Sequence, residues 1–300
     1  MKTILITAGG TSEPIDNIRS ITNTGTGALG SLIADEFARR RNVERIVYIH
    51  GKNAVLPKTQ KAVCIEAAST DALQKAVREA CAQYAPDAII HSMAVSDYRT
   101  GAVVKAEDLL KIALKIAGTA SQDELDKLAS QVIEERISKA STAEELAKAY
   151  DYLPDVQPGK PAAKTAKAKQ SEAEALLKLA KKADLRDKYN KIPSSAGNPV
   201  ILLEPTPKII PELRQLAPDA IIVGFKLLDE VPHDELLSVA KKLMEKNDCD
   251  FVLANDYQTV QGGAQSHVGH LMARGGKVET FTGKPEIAKG IAAAVAAAWK

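Results

Sequence analysis

Short apolar runs alternate with amphipathic stretches along the first hundred residues of the chain. Leu29, Ile33 and Phe37 recur with the spacing i, i+4, i+8, which predicts one helical face. The predicted strands are Thr3–Thr7, Arg45–His50 and Asp87–Met93, and the predicted helices are Ala28–Arg41 and Thr70–Tyr84. Buried strands that alternate with helices are typical of a mostly parallel sheet covered on both faces.

The same alternation resumes at Pro199. Thr206 followed by Pro207 predicts a helix start, with a hydroxyl N-cap and proline in the first turn. Arg274-Gly275-Gly276 predicts a hairpin turn. The other predicted elements are strands at Val200–Leu203, Ala220–Phe225, Asp250–Ala254, Val268–Ala273 and Lys277–Phe281, and helices at Asp234–Asn247 and from Pro285 onward. The pattern predicts an α/β, Rossmann-like doubly wound fold, with a mostly parallel sheet and helices on both faces.

Residues 105–190 interrupt this pattern with a composition rich in Ala, Lys and Glu. Helices are predicted at Asp123–Lys139 and Thr142–Tyr150, and a flexible linker at 156–170. The lysines of that linker could contact phosphates, but we interpret them as a solvated tract. We therefore predict one Rossmann-like domain made of 1–104 and 191–300, with 105–190 as a helical insertion.

Composition and charge exclude several classes of protein. The chain has 300 residues, of which 45% are hydrophobic, and its net charge is +2. The sequence shows no concentrated basic face, so we do not expect a nucleic-acid partner. No apolar run approaches the roughly 20 residues of a membrane span, and the apolar start is too short for a signal peptide, so we expect a cytoplasmic protein. Cys64, Cys81 and Cys249 lack metal-ligand spacing and are interpreted as buried reduced thiols.

Gly25-Thr26-Gly27-Ala28-Leu29-Gly30 matches G-x-G-x-x-G, the fingerprint of dinucleotide-binding enzymes. Its context argues against a nicotinamide cofactor, because a long loop separates it from the first strand and no acid follows the second strand at Tyr48–Lys52. What remains is a helix start suited to phosphate. The alternative is that these glycines only permit tight turns.

Several motifs, in order along the chain, resemble the phosphopantothenate–cysteine ligases. They are Thr7-Ala8-Gly9-Gly10-Thr11, Ile18-Arg19-Ser20-Ile21-Thr22-Asn23, Thr26-Gly27-Ala28-Leu29-Gly30, Ala94-Val95-Ser96-Asp97-Tyr98, Lys191-Ile192-Pro193-Ser194-Ser195, Thr206-Pro207-Lys208-Ile209-Ile210, Val223-Gly224-Phe225-Lys226-Leu227 and Ala254-Asn255-Asp256. The chain starts at the ligase strand, so we expect the stand-alone bacterial form without a flavin decarboxylase domain.

This resemblance implies a ligase that joins 4′-phosphopantothenate to L-cysteine with CTP or ATP through an acyl nucleotidate. It implies catalytic roles for Asn23 and Lys191. It implies a homodimer in which Arg19 reaches the neighbouring subunit's substrate site. It also implies Mg²⁺ that is bound mainly through the nucleotide, with no metal site on the protein.

The implied nucleotide contacts are Gly9, Gly10, Thr11, Gly25, Gly27, Gly30, Asp97, Lys191, Pro207, Lys208, Ile209, Ile210, Phe225, Lys246 and Asn255. The implied substrate contacts are Arg19, Asn23, Met93, Ala94 and Asp97. The histidines, His267 and His270 included, show no convincing metal-ligand spacing, so the sequence is uninformative about their role. An NAD(P)-dependent reductase and a non-catalytic scaffold stay open as alternatives.

Overall fold

Two units make up the fold. The computed structural model describes residues 1–117, 174–261 and 266–299. Unit 1 consists of Met1–Glu13, Ile21–Asp97 and Pro205–Lys300, and unit 2 consists of Pro14–Ser20 and Tyr98–Glu204. The predicted helices Asp123–Lys139 and Thr142–Tyr150, and the predicted linker 156–170, lie outside the described residues.

The strands are β1 Lys2–Ala8, β2 Ser12–Pro14, β3 Ser20–Thr22, β4 Val43–His50, β5 Ala62–Glu66, β6 Ala88–His91, β7 Tyr98–Lys105, β8 Pro199–Pro205, β9 Ile221–Leu228, β10 Phe251–Asp256, β11 Val268–Ala273 and β12 Val278–Thr282. The helices are α1 Ala28–Ala38, α2 Thr70–Tyr84, α3 Ala106–Ala117, α4 Leu213–Leu216, α5 His233–Asn247, α6 Tyr257–Gln261 and α7 Lys284–Ala298. Residues 174–180 are also helical. Single 3₁₀ turns occur at Lys181–Ala183, Leu185–Asp187, Ser194–Ala196 and Ile210–Glu212.

Unit 1 is built on an eight-stranded sheet with the order β12-β11-β10-β9-β6-β1-β4-β5. Strands β10, β9, β6, β1, β4 and β5 run parallel to one another. Strands β11 and β12 form the predicted antiparallel hairpin at one edge. The predicted mostly parallel, Rossmann-like sheet is therefore confirmed. Strand β5, at the other edge, was not predicted, because its Val63 and Cys64 are exposed and its pattern is not that of a buried strand.

Helices cover both faces of this sheet because side chains alternate along each strand. Ile4 and Ile6 of β1 pack with α1 and α7 in one fully buried cluster. Leu5, between them, packs with α2 and α5 on the opposite face. Each such side chain contributes about 1.5–3 kcal/mol through burial. Helix α1 ends at Ala38, earlier than the predicted Arg41, and the Lys61 ammonium donates to the Ala38 carbonyl oxygen at 2.9 Å.

Unit 2 contains β7 and β8, which pair as a separate two-stranded sheet. The prediction of a strand at Val200–Leu203 is therefore right, but its assignment to the resumed parallel pattern is wrong. A small buried cluster of Val103, Leu185, Ile192 and Ala196 lies in this unit.

Two further predictions are wrong in detail. Thr206 is not a helix N-cap: its hydroxyl donates to the Ser96 carbonyl, and helical structure begins only at Ile210. Pro207 lies in the loop before this turn, and it does not start a helix. Of the three cysteines, Cys81 and Cys249 are buried as predicted, whereas Cys64 is exposed on β5.

Candidate functional site

A cavity of about 420 Å³ lies at the carboxyl ends of the parallel strands in unit 1. This is the position where open α/β sheets bind ligands. Three stretches of chain form most of its wall: the start of α1, the loop after β6, and the end of β9. The residues that line it include Gly9, Gly25, Gly27, Ala28, Gly30, His91, Met93, Ala94, Asp97, Lys208, Ile209, Ile210, Phe225, Lys226, Asn255, His267 and Lys284.

Two glycine turns pack against each other at one side of the cavity. A Cβ added at Gly25 would lie 2.6 Å from the Gly9 carbonyl oxygen. A Cβ at Gly10 would overlap the Asn23 carbonyl oxygen. Packing alone therefore requires glycine here, as the tight-turn interpretation proposed. Gly9 and Gly25 nevertheless also line the cavity, so the two interpretations are compatible.

The start of α1 offers backbone donors to the cavity. Gly27 precedes the helix with φ 72°, a left-handed conformation that favours glycine, and no side-chain oxygen caps the first turn closely. The Ala28 nitrogen makes only a long contact, of 3.4 Å, with the Thr26 hydroxyl. Unsatisfied N–H groups and the positive end of the helix dipole form an anion site of the type that binds phosphate.

Asn23 is held in a defined orientation beside these turns. Its side-chain Nδ2 donates to the Ala94 carbonyl oxygen at 3.0 Å, and its backbone nitrogen donates to Thr11 O at 3.1 Å. Thr11 in turn is fixed by Ser96, whose backbone nitrogen donates to the Thr11 hydroxyl at 2.8 Å. Among the described non-glycine residues, positive φ occurs at Ala85, Glu230 and Asp248. A left-handed turn is therefore not the reason for asparagine at position 23.

Asp97 and Lys208 face each other at the cavity wall as an ion pair. Both side chains are more than half exposed, with 69% and 58% of their surface accessible. The Asp97 carbonyl accepts a bond from the Thr206 nitrogen at 3.0 Å, which fixes the loop that carries Lys208. Both charged groups are thus accessible to a ligand.

Arg19 and Lys191 belong to unit 2, where one buried carboxylate organises their surroundings. Asp16 accepts bonds from the Arg19 guanidinium and, at 3.1 Å, from the Ile192 nitrogen. The Arg19 guanidinium also donates to the Ile192 carbonyl at 3.0 Å. The Arg19 side chain, followed by backbone donors, holds the pKa of Asp16 well below its usual range. Two segments far apart in sequence therefore meet around Asp16, a residue that sequence reasoning missed.

The structure brings together one part of the predicted site. The predicted residues that line the cavity are Gly9, Gly25, Gly27, Gly30, Met93, Ala94, Asp97, Lys208, Ile209, Ile210, Phe225 and Asn255. The predicted residues of unit 1 outside this lining are Gly10, Thr11, Asn23, Pro207 and Lys246. Lys246 is exposed on α5.

Two histidines, about which the sequence was uninformative, line the cavity. His91 is buried and its Nδ1 lies 2.9 Å from the Thr7 hydroxyl. His267 Nε2 lies 3.1 Å from Asn255 Nδ2. Burial lowers the pKa of His91 to about 4. Burial, followed by the charge of Lys284, lowers the pKa of His267 to about 4. Both rings are therefore neutral at pH 7, and no local spacing in the sequence could have indicated this.

Acidic groups are scarce around the cavity. Asp97 is the carboxylate among its lining residues, and the described part of the chain holds no group of three or more His, Cys, Asp or Glu side chains placed to bind a metal. A magnesium ion here would have to take most of its ligands from phosphate oxygens and water. No helix within the described ranges has the length and apolar character needed to cross a membrane.

Comparison with known proteins gives the family. The profile of the DNA/pantothenate metabolism flavoprotein C-terminal domain matches residues 1–145 and 137–298. The chain belongs to this family. It is 26% identical over 255 residues to the coenzyme A biosynthesis bifunctional protein CoaBC of Thermococcus kodakarensis, covering 85% of this chain and 41% of that protein. The chain thus spans less than half the length of this relative.

Solved structures of the family share the fold. The DNA/pantothenate metabolism flavoprotein from Streptococcus pneumoniae superimposes with a TM-score of 0.67 at 26% identity, covering 99% of both chains. Cab2 H337A, solved in complex with phosphopantothenate-cysteine, matches with a TM-score of 0.55 at 15% identity, covering 98% of this chain and 85% of that one. At that identity the second comparison supports the fold alone.

Proposed function

We propose that this chain joins 4′-phosphopantothenate to L-cysteine at the expense of CTP or ATP, a step in coenzyme A biosynthesis. The observation that carries the proposal is the cavity at the carboxyl edge of the sheet, where the phosphate-suited start of α1 adjoins the Asn23–Ala94 hydrogen bond. The names of the relatives add support, since the CoaBC proteins are coenzyme A biosynthesis proteins and Cab2 was solved with phosphopantothenate-cysteine.

The chemistry consists of two displacements. A carboxylate oxygen of phosphopantothenate attacks the α-phosphorus of the triphosphate, and the bond to the leaving pyrophosphate breaks. The cysteine nitrogen then attacks the activated carbonyl carbon, the carbon–oxygen bond to the nucleotide breaks, and the nitrogen loses a proton as the monophosphate leaves. Neither step needs a nucleophile from the protein, so positioning and charge stabilisation account for catalysis.

Asn23 suits the second displacement. One N–H of its amide is used by the Ala94 carbonyl at 3.0 Å, which fixes the plane of the group. The second N–H is then the donor that the side chain offers to the acyl oxygen as negative charge develops there. Lys191, exposed in unit 2, is proposed to neutralise the phosphates during the first displacement. Phosphate-bound Mg²⁺ would lower the charge of the leaving pyrophosphate.

A homodimer is part of the proposal. Unit 2 exposes apolar side chains on β7 and β8, with 55% of Tyr98, 38% of Ile201 and 47% of Leu203 accessible. A second copy would cover this surface. Sedimentation of the purified chain should give twice the monomer mass, and Leu203→Asp should shift it toward monomer; a monomeric wild type would contradict the dimer.

Pyrophosphate release tests the activity most simply. The assay uses each of the four ribonucleoside triphosphates, with and without phosphopantothenate and cysteine. We expect release with CTP or ATP that requires phosphopantothenate, and formation of the amide product only when cysteine is added. Binding of a nicotinamide cofactor without any pyrophosphate release would favour the reductase alternative instead.

A further inference from the structure

Three residues on one side of the cavity have no step in the proposed reaction, although the family resemblance implies a nucleotide contact for Asn255. We call Asn255, His267 and Lys284 the histidine wall. Asn255 is the penultimate residue of β10, His267 precedes β11, and Lys284 is the first residue of α7. All three line the cavity, together with the start of α1.

Two buried polar atoms of this wall have no partner in the described structure. Asn255 Nδ2 donates to His267 Nε2 at 3.1 Å, so the neutral imidazole carries its proton on Nδ1. That Nδ1 and the Asn255 Oδ1 are both unpaired, in side chains only 3% and 8% exposed. An unpaired buried polar atom is unfavourable because it has given up its hydrogen bonds to water without replacing them. Such atoms in a cavity wall indicate that a polar ligand completes their hydrogen bonding.

The start of α7 adds positive charge beside these atoms. The Gly283 nitrogen donates to the His267 carbonyl at 2.7 Å, which fixes the helix start next to the imidazole. No side chain caps this 15-residue helix. Lys284 forms no ion pair with any described residue, and its charge is close enough to influence His267. Helix dipole and ammonium group therefore favour an anion at the same place.

Helices α1 and α7 lie on the same face of the sheet. Phe37 of α1 and Ile291 of α7 belong to one buried cluster. Both helices begin at the carboxyl edge, since Ala28 and Lys284 line the same cavity. The cavity thus receives two positive helix ends and the cations Lys208, Lys226 and Lys284, against the single carboxylate Asp97 among its lining residues. This arrangement suits a ligand that carries several phosphates rather than one.

We propose that the histidine wall and the start of α7 form a second phosphate-binding element, which holds the β- and γ-phosphates of the nucleotide and the pyrophosphate formed from them. The His267 Nδ1–H donates to a phosphate oxygen, and Lys284 supplies the charge. Asn255 Oδ1, an acceptor, receives a bond from a water molecule or hydroxyl at the ligand. The assignment rests on the proposed function for the identity of the nucleotide as substrate, but its binding chemistry can be tested separately.

Calorimetric titration with CTP, ATP, CMP, AMP and inorganic pyrophosphate tests this element. Lys284→Met keeps the length of the side chain and removes its charge. It should weaken binding of the triphosphates and of pyrophosphate by about 10- to 100-fold, the range of a charge-assisted bond. Binding of the monophosphates should change by less than about 3-fold. Lys289→Met is the matched control, because Lys289 is exposed on the same helix and pairs with Glu286 at 2.7 Å.

His267→Phe should weaken binding of the same ligands selectively. Lys284→Arg keeps the positive charge and should restore the binding that Lys284→Met loses. This second comparison tests the element even if His267→Phe does not fold. Equal weakening of mono- and triphosphates by Lys284→Met, or no weakening, overturns the proposal. Its failure is distinguishable from failure of the proposed function. Lys284-dependent pyrophosphate binding without amide formation would refute only the activity, and turnover unaffected by Lys284→Met would refute only this element.

Discussion

Lowering the pH from 7 to 5 tests whether His91 is buried in its neutral form in the folded chain. Its pKa falls from 6.5 to about 4 because the ring is buried. The unfolded chain takes up a proton from pH 6.5 downward, whereas the folded chain does so only near pH 4. The contribution of neutral His91 to the free energy of unfolding is therefore fully present above pH 6.5. It is lost as the pH falls from 6.5 to 4, and stability does not change further through this group below pH 4.

The magnitude follows from the shift. One pKa unit corresponds to about 1.4 kcal/mol, so His91 contributes at most about 3 kcal/mol, of which about 2 kcal/mol is lost between pH 7 and pH 5. Urea unfolding at both pH values gives the free energy of unfolding for wild type and for His91→Asn. The variant should be less stable at pH 7 but should lose about 2 kcal/mol less than wild type on going to pH 5.

Ile90→Val, on the same strand, is the control for lost packing: it should cost about 1 kcal/mol at both pH values and leave the pH dependence unchanged. If His91→Asn loses as much stability between pH 7 and pH 5 as the wild type does, His91 is not buried in the neutral form and the reasoning is refuted.

Four more substitutions test the site. Asn23→Asp should leave pyrophosphate formation intact and slow amide formation about 100-fold, measured by following both products in one reaction; equal slowing of both would contradict the assignment. Lys191→Gln should slow pyrophosphate formation about 10-fold or more in single-turnover experiments, with wild-type rates as the contrary result. Asp16→Asn should release the Ile192 segment and increase its cleavage by trypsin at Lys191, and unchanged cleavage would show that Asp16 does not hold it. Gly10→Ala should destabilise the fold by about 2 kcal/mol because its Cβ meets the Asn23 carbonyl, whereas Gly275→Ala, with no atom within 4 Å of the added carbon, should be neutral.

The sheet was predictable because its central strands are continuous apolar runs. Thr3–Thr7 and Asp87–Met93 need burial on both faces, and their alternation with helices leaves few topologies open. Strand β5 escaped prediction because an edge strand with exposed Val63 and Cys64 does not display that pattern. The misplaced helix start at Thr206 has a similar cause. A hydroxyl before proline satisfies the local rule for an N-cap. In the fold, however, the Thr206 hydroxyl donates to the carbonyl of Ser96, which is distant in sequence.

The residues of the candidate site also fall into two groups, those with a local signal in the sequence and those without one. Glycines that end a strand or start a helix are local signals, and Gly9, Gly25, Gly27 and Gly30 were accordingly placed at the cavity. His267 has no such signal. Its role depends on its distance to Asn255 and on the start of α7, which only the folded chain brings together. Asp16 likewise gains its significance from Ile192, a residue far along the chain.

Isotope transfer tests the central claim, activation of the substrate acid as an acyl nucleotidate. Phosphopantothenate labelled with ¹⁸O in its carboxylate is turned over with cysteine and the triphosphate that supports activity. Mass spectrometry of the products should find one labelled oxygen in the nucleoside monophosphate and none in pyrophosphate. Label in inorganic phosphate, or its absence from the monophosphate, would contradict attack of the carboxylate on the α-phosphorus.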